Sequence, residues 1–170
     1  TVVWLVLKLK RGFAMNHSKN YDKGKENERD SFAILREKGY IKPTSKQRKN
    51  ILNAFKTIGK TIQSRGYDLI REDISNKLKS LKETIQIVNE IVLYELKTAG
   101  AKRKTPLKEN FRGLGFTLSG SEKQNAEELG EQYKFVFLDL ATKDVKISKL
   151  EDWFNPKVSR IYPTYSVFIR

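Results

Sequence analysis

The stretch of the chain best suited to chemistry is Ile91 to Gly100, IVLYELKTAG. Its β-branched and aromatic residues suit a strand, in which residues two apart share a face. Leu93, Glu95 and Lys97 then point one way, and Val92, Tyr94, Leu96 and Thr98 the other. An apolar strand that turns a Glu and a Lys to one face carries two groups that are costly to bury unless they pair or hold a metal. A carboxylate there can ligate a hard cation. A neighbouring ammonium can orient a water or stabilise charge on a phosphate. The same pair also arises where a strand simply emerges into solvent, so its meaning depends on the rest of the chain.

The composition removes the competing chemistries. The 170 residues include no cysteine, so there is no disulfide, thiol nucleophile or zinc-thiolate site. The one histidine, His17, lies in a polar stretch, which excludes a two-histidine metal motif within one chain and gives no setting for a serine triad. The net charge is +14, and residues 1–60 alone contribute +10 with 15 basic and 5 acidic residues. Clustered positive charge points to a polyanion, DNA before RNA, because neutralising phosphates releases counterions. The longest apolar run, Val2 to Leu7, is far below the roughly 20 residues of a membrane span. Its lysines follow the run, unlike those of a signal peptide. The expectation is a cytoplasmic, nucleic-acid-associated protein with no membrane partner and no small-molecule cofactor.

These residues need elements to position them. Residues 1–23 read as an N-terminal extension. Its single methionine, Met15, is a candidate natural start, which would make residues 1–14 upstream sequence. Residues 24–170 read as one α/β domain. Glu26 to Lys38 suits a helix around Phe32 and Leu35, stopped by Gly39. Ser45 to Ser64 suits a longer one, with Ile51, Phe55, Ile58 and Ile62 on one face, Ser45 as N-cap and Gly66 as the stop. Its other face carries Lys49, Asn53, Lys56, Lys60 and Gln63, which with Lys46 could meet DNA, and which an ordinary solvated face would also explain. A short strand at Tyr67 to Ile70, a short helix at Arg71 to Glu83, and a strand or bent pair at Ile85 to Thr98 follow. A basic loop with Lys102, Arg103 and Lys104 comes next, placed to grip a nucleic-acid backbone or to be a solvated turn. Leu114 to Ser119 reads as a strand, and Ser119 with Glu122 as a capping box opening a helix that stops at Gly130. Tyr133 to Leu140 is a continuous apolar strand, central in a sheet. A helical turn at Leu150 to Phe154 and a closing strand at Ile161 to Ile169 complete the reading.

The ordered set of motifs resembles a known group. Glu95-Leu96-Lys97 at the end of a hydrophobic strand resembles the Glu-x-Lys half of the PD-(D/E)xK nuclease superfamily. Gly66-Tyr67-Asp68 resembles the Gly-Tyr-Asp that supplies the first acidic ligand in several branches. Phe116 to Leu140 is similar to the strand, helix and strand that follow in the NO VEIN-type nuclease-like domain, with Glu122, Ala126 and Tyr133 at the matching places. Glu28, with Phe32, Leu35 and Gly39, is similar to the first helix of such domains. The resemblance implies a restriction-endonuclease-like αβββαβ core with a mixed central sheet, to which the basic helix at Ser45 to Ser64 is an addition. It implies a metal-dependent DNA endonuclease of restriction or mobile-element type, a homodimer if it cuts both strands, using Mg²⁺ with Mn²⁺ as a substitute. Asp68 and Glu95 would ligate the ion with the backbone carbonyl of Leu96, and Lys97 would act on the attacking water. Glu122 would bind a second metal or a water, or serve only as the capping residue. Asp68 stands 27 positions before Glu95, farther than the family usually places its first acid, so Asp73, Glu83 and Glu90 are alternatives. The competing reading is a non-catalytic basic nucleic-acid-binding module.

Overall fold

The apolar run 133–140 forms the middle of the molecule. In this computed structural model, which describes residues 25–100, 107, 111 and 114–153, it becomes β4 (Tyr133–Asp139). β3 (Leu93–Ala99) lies parallel to it, from Leu93 opposite Tyr133 to Ala99 opposite Asp139. β5 (Val145–Ser148) lies antiparallel on its other side, giving a three-stranded mixed sheet in the order β3-β4-β5. β1 (Tyr40–Ile41) and β2 (Ile70–Arg71) form a separate antiparallel pair. A bridge between Leu69 and Tyr94 ties that pair to the free edge of β3. Five α-helices are present among the described residues: α1 (25–37), α2 (Ser45–Thr57), α3 (Glu72–Ser75), α4 (Leu81–Gln86) and α5 (Gly120–Leu129). The architecture is mixed α/β. No helix among the described residues is long and apolar enough to cross a membrane.

Strand parity divides the core in two. One face of the sheet buries Leu93, Tyr133, Phe135 and Phe137 against Ile51 and Phe55 of α2 and Ala126 and Leu129 of α5. The other buries Tyr94, Val136 and Leu138 against Leu35 of α1, Tyr40 and Leu69. β4 is apolar on both faces because helices cover both. Gly39 ends the first helical segment with φ +78°, the left-handed stop expected of it.

Several boundaries differ from the sequence reading, each for a local reason. α2 stops at Thr57, because Gly59 takes φ +78° and the N–H groups of Ile58 and Gly59 bond back to Phe55 and Lys56. The chain then runs to Gly66 without helix, and Ile58 is left 41% exposed. The N-cap is Thr44, whose hydroxyl accepts the Gln47 N–H while the Gln47 side chain accepts the Thr44 N–H. The segment 71–83 breaks into α3 and the start of α4, because Ser80 caps a new helix through the Glu83 N–H. That helix and a 3₁₀ turn (Val88–Glu90) take up residues expected to be strand, so β3 begins only at Leu93. Residues 114–119 are not a strand. Phe116 instead packs edge-on against Phe137 at 5.2 Å, over the sheet face. β1 and β5 are short and were not anticipated. The helical turn near Leu150 is a 3₁₀ turn, Glu151–Trp153. The expected strand at 161–169, the N-terminal extension and the basic loop with Lys102, Arg103 and Lys104 lie outside the described residues.

Candidate active site

β3 delivers Glu95 and Lys97 to the face covered by α5. The Lys97 ammonium donates to Glu95 Oε1 at 3.0 Å and to Glu122 Oε2 at 2.7 Å. Glu122 is there because the Ser119 capping box opens α5: the Ser119 hydroxyl accepts the Glu122 N–H, and Glu122 Oε2 accepts the Ser119 N–H at 3.1 Å. The capping carboxylate thus also holds Lys97. The three side chains are 8–12% exposed, so the triad is largely shielded from water.

Asp68 approaches β3 from its free edge. The N–H groups of Asp68 and Leu69 both donate to the Tyr94 carbonyl, at 2.8 and 2.9 Å, and Leu69 O accepts the Tyr94 N–H. Two residues set against one form a bulge, which bends a strand and re-aims its side chains. The Asp68 carboxylate consequently accepts the next outward amide of β3, Leu96 N–H, at 3.1 Å. Asp68 also lines a cleft of about 440 Å³ with Asn27, Glu28 and Phe32 of α1 and Leu96 and Thr98 of β3.

Charge in this region is unbalanced. Burial pushes the Glu95 carboxyl up to about 8, the neighbouring Asp68 and Glu122 push the same way, and Lys97 opposes them. Burial also acts upward on Glu122. The Lys97 bond and charge, the Ser119 N–H and a hydrogen bond with Glu95 outweigh it and hold Glu122 below its ordinary value. Tyr133 lies near the same group: burial first, then Glu95, Glu122 and Asp68, raise its phenol far above the usual range.

Asp68, Glu95, Leu96, Lys97 and Glu122 therefore surround one stretch of β3. They are not gathered around one point, since Lys97 stands between Glu95 and Glu122 while Asp68 faces the cleft. Among the described residues, no group of three or more His, Cys, Asp or Glu is arranged to hold a metal. In chemistry alone, two carboxylates and a carbonyl are donors of the kind Mg²⁺ takes, since it prefers hard oxygens and keeps several waters. The upward push on Glu95 comes first from burial and only then from the neighbouring acids. The alternative acids are elsewhere: Asp73 pairs with Arg71, Glu90 with Lys77, and Glu83 with the Ser80 cap. On α2, Lys46, Lys49, Asn53 and Lys56 lie on the side away from the core, and all four are exposed. Lys60 lies past the shortened helix and donates to Gln132 at 2.9 Å, so it does not belong to that face.

Two residues absent from the sequence reading hold the site together. Arg48 of α2 donates to Ser64 O, Tyr67 O and Asp68 O at 2.8, 2.9 and 3.4 Å and stacks on the Tyr67 ring. Asn125 of α5 bonds to the backbone of Gln63 and Gly66. A signal for Asn125 was present: it shares the helix face of Glu122, Ala126 and Leu129, where an Asn needs partners. Arg48 had no such signal, being one cation in a basic helix. Comparison with family models, with curated proteins and with solved structures finds no match to the chain.

Proposed function

We propose that the chain is a metal-dependent DNA endonuclease that hydrolyses phosphodiester bonds. One observation carries the reading: a shielded Glu95–Lys97 pair on one strand, with a second acid, Asp68, bonded to the residue between them. The element order supports it, because α1, β1, β2, β3, α5 and β4 follow one another as αβββαβ once α2, α3 and α4 are counted as insertions. The positive charge of the chain supports a polyanionic substrate.

Asp68, Glu95 and the Leu96 carbonyl are the groups that would hold Mg²⁺ or Mn²⁺. The chemistry such an ion supplies is polarisation of the phosphate and activation of a water. Lys97, fixed between Glu95 and Glu122, presents an ammonium that can orient the attacking water and stabilise charge developing on the phosphate. Glu122 keeps Lys97 in place and caps α5. A second reading, a basic binding module without activity, is favoured by the same triad, since Lys97 is already satisfied by two carboxylates.

The two are separated with plasmid and linear DNA in Mg²⁺, Mn²⁺ or EDTA, comparing the native chain with Glu95→Gln. Lys97→Ala is a poorer choice, because stranding two shielded carboxylates costs about 3–5 kcal/mol. Metal-dependent fragments that disappear in Glu95→Gln, with DNA affinity unchanged, are expected. Salt-sensitive binding by both proteins with no cutting by either would select the binding module.

A further inference from the structure

The turn that carries Asp68 is gripped from α5. Asn125 is 0% exposed, and both ends of its amide are used. Its Oδ1 accepts the Gln63 N–H at 2.6 Å, and its Nδ2 donates to Gln63 O at 2.9 Å and Gly66 O at 3.1 Å. The Tyr133 hydroxyl donates to the same Gly66 carbonyl at 2.5 Å. Gly66 lies so close that an added Cβ would stand 2.5 Å from Asn125 Nδ2 and 2.6 Å from Ser121 O. Two residues later comes Asp68, and its side chain takes over the β3 edge where backbone pairing ends. Asn125 is also one helical turn beyond Glu122, so one rigid element holds both the Lys97 partner and the Asp68 turn.

We propose that Asn125 is a positioning residue, which fixes the Gln63–Gly66 turn so that the Asp68 carboxylate is set against Leu96 beside Glu95. Its importance for catalysis rests on the nuclease reading; its effect on Asp68 does not. The Leu96 N–H reports the placement directly, because its acceptor is the Asp68 carboxylate and not a neighbouring strand. An amide that loses its acceptor exchanges faster with solvent, and about 1.4 kcal/mol corresponds to a tenfold change.

The experiment is amide exchange by NMR on the ¹⁵N-labelled full chain in EDTA, for the native protein, Asn125→Ala, Asn125→Asp and Asp68→Ala. Asn125→Asp retains the volume and the bond from Gln63 N–H, loses the two donated bonds and sets a buried carboxyl oxygen against the Gln63 and Gly66 carbonyls. Expected is exchange of the Leu96 amide faster by about tenfold in both Asn125 variants, approaching Asp68→Ala, with Val136 in β4 unchanged. In Mg²⁺ with DNA, kcat should fall about tenfold with KM unchanged. Native-like exchange at Leu96, or equal acceleration at Leu96 and Val136, would overturn the proposal. So would failure of both variants to fold, since Asn125 would then support the whole domain and not one carboxylate. If the native chain cuts no DNA, the nuclease reading falls while the Leu96 amide still decides the role of Asn125.

Discussion

Lys97 and its two carboxylates form a balance that pH should tip. The Glu95 carboxyl is raised from 4.5 to about 8, chiefly by burial, so the folded state retains a proton that the unfolded chain releases. Stability from such a group is fully present below the unfolded value and is lost as pH rises through the folded one. The metal-free protein should therefore weaken between pH 4.5 and about 8, by on the order of 3–5 kcal/mol from this group. Glu122, held below its ordinary value, works in the opposite sense and loses its contribution only as pH falls below the carboxylate range. Urea melts in EDTA across this range check the prediction. Glu95→Gln should flatten the decline and equal or exceed native stability at pH 8. A variant less stable than the native chain at every pH would mean that Glu95 is chiefly a structural partner of Lys97. If Glu95 holds Mg²⁺ as proposed, the added ion should protect the native protein increasingly as pH rises, because it would compete with the proton for the same oxygens.

Among the elements, two glycines that look alike in sequence play different parts. Gly59 has φ +78°, and a Cβ added there would meet no atom within 4 Å, so its substitution by Ala acts through backbone strain alone. The expected loss for Gly59→Ala is about 1–2 kcal/mol. Gly66 has no unusual φ, but backbone and the Asn125 amide occupy the space a Cβ would need. Gly66→Ala must push α5 away from the Asp68 turn and should cost about 1–3 kcal/mol. Urea unfolding gives both numbers, and cleavage separates them. On the nuclease reading, Gly59→Ala should cut DNA at the native rate when folded, while Gly66→Ala should be impaired even where it is fully folded. Equal activity of the two would show that the contact between α5 and the turn does not govern the site.

For the chain in its entirety, the question is whether the +14 charge is used or merely tolerated. Lys46, Lys49 and Lys56 stand on one helix, and that helix reaches the Asp68 segment through Arg48. If these lysines contact phosphates, replacing all three by Glu should lower the slope of log affinity against log salt by about 2–3. DNA anisotropy titrations between low and physiological salt measure it. An unchanged slope would assign the helix to solvent and move the DNA contact elsewhere.

Local features were the most legible in the residues. The parity of β3, the burial of β4 and the Ser119–Glu122 capping box follow from near-neighbour spacing and short-range hydrogen bonds. So does the pairing of Glu95 with Lys97, because residues two apart on a strand are neighbours in any fold. Element ends were less legible. Gly59 and Gly66 are equally plausible stops, and Ile85 to Val88 suit a strand until the Ser80 cap opens a helix that takes Ile85 and Gln86 and is followed by a 3₁₀ turn from Val88. The contacts across the chain were not legible in spacing or composition; only the resemblance grouped Asp68 and Glu122 with the β3 residues. Glu122 meets Lys97 from 25 residues away, and Asn125 meets Gly66 from 59. Composition and periodicity contain no information about such distances. What could be read from the residues alone was which groups were chemically able and which faces they shared. That Lys97 lies between two acids, and that Asp68 turns to Leu96, emerges only on folding, because packing α5 and the 63–68 turn against one strand is what brings those groups within hydrogen-bond reach.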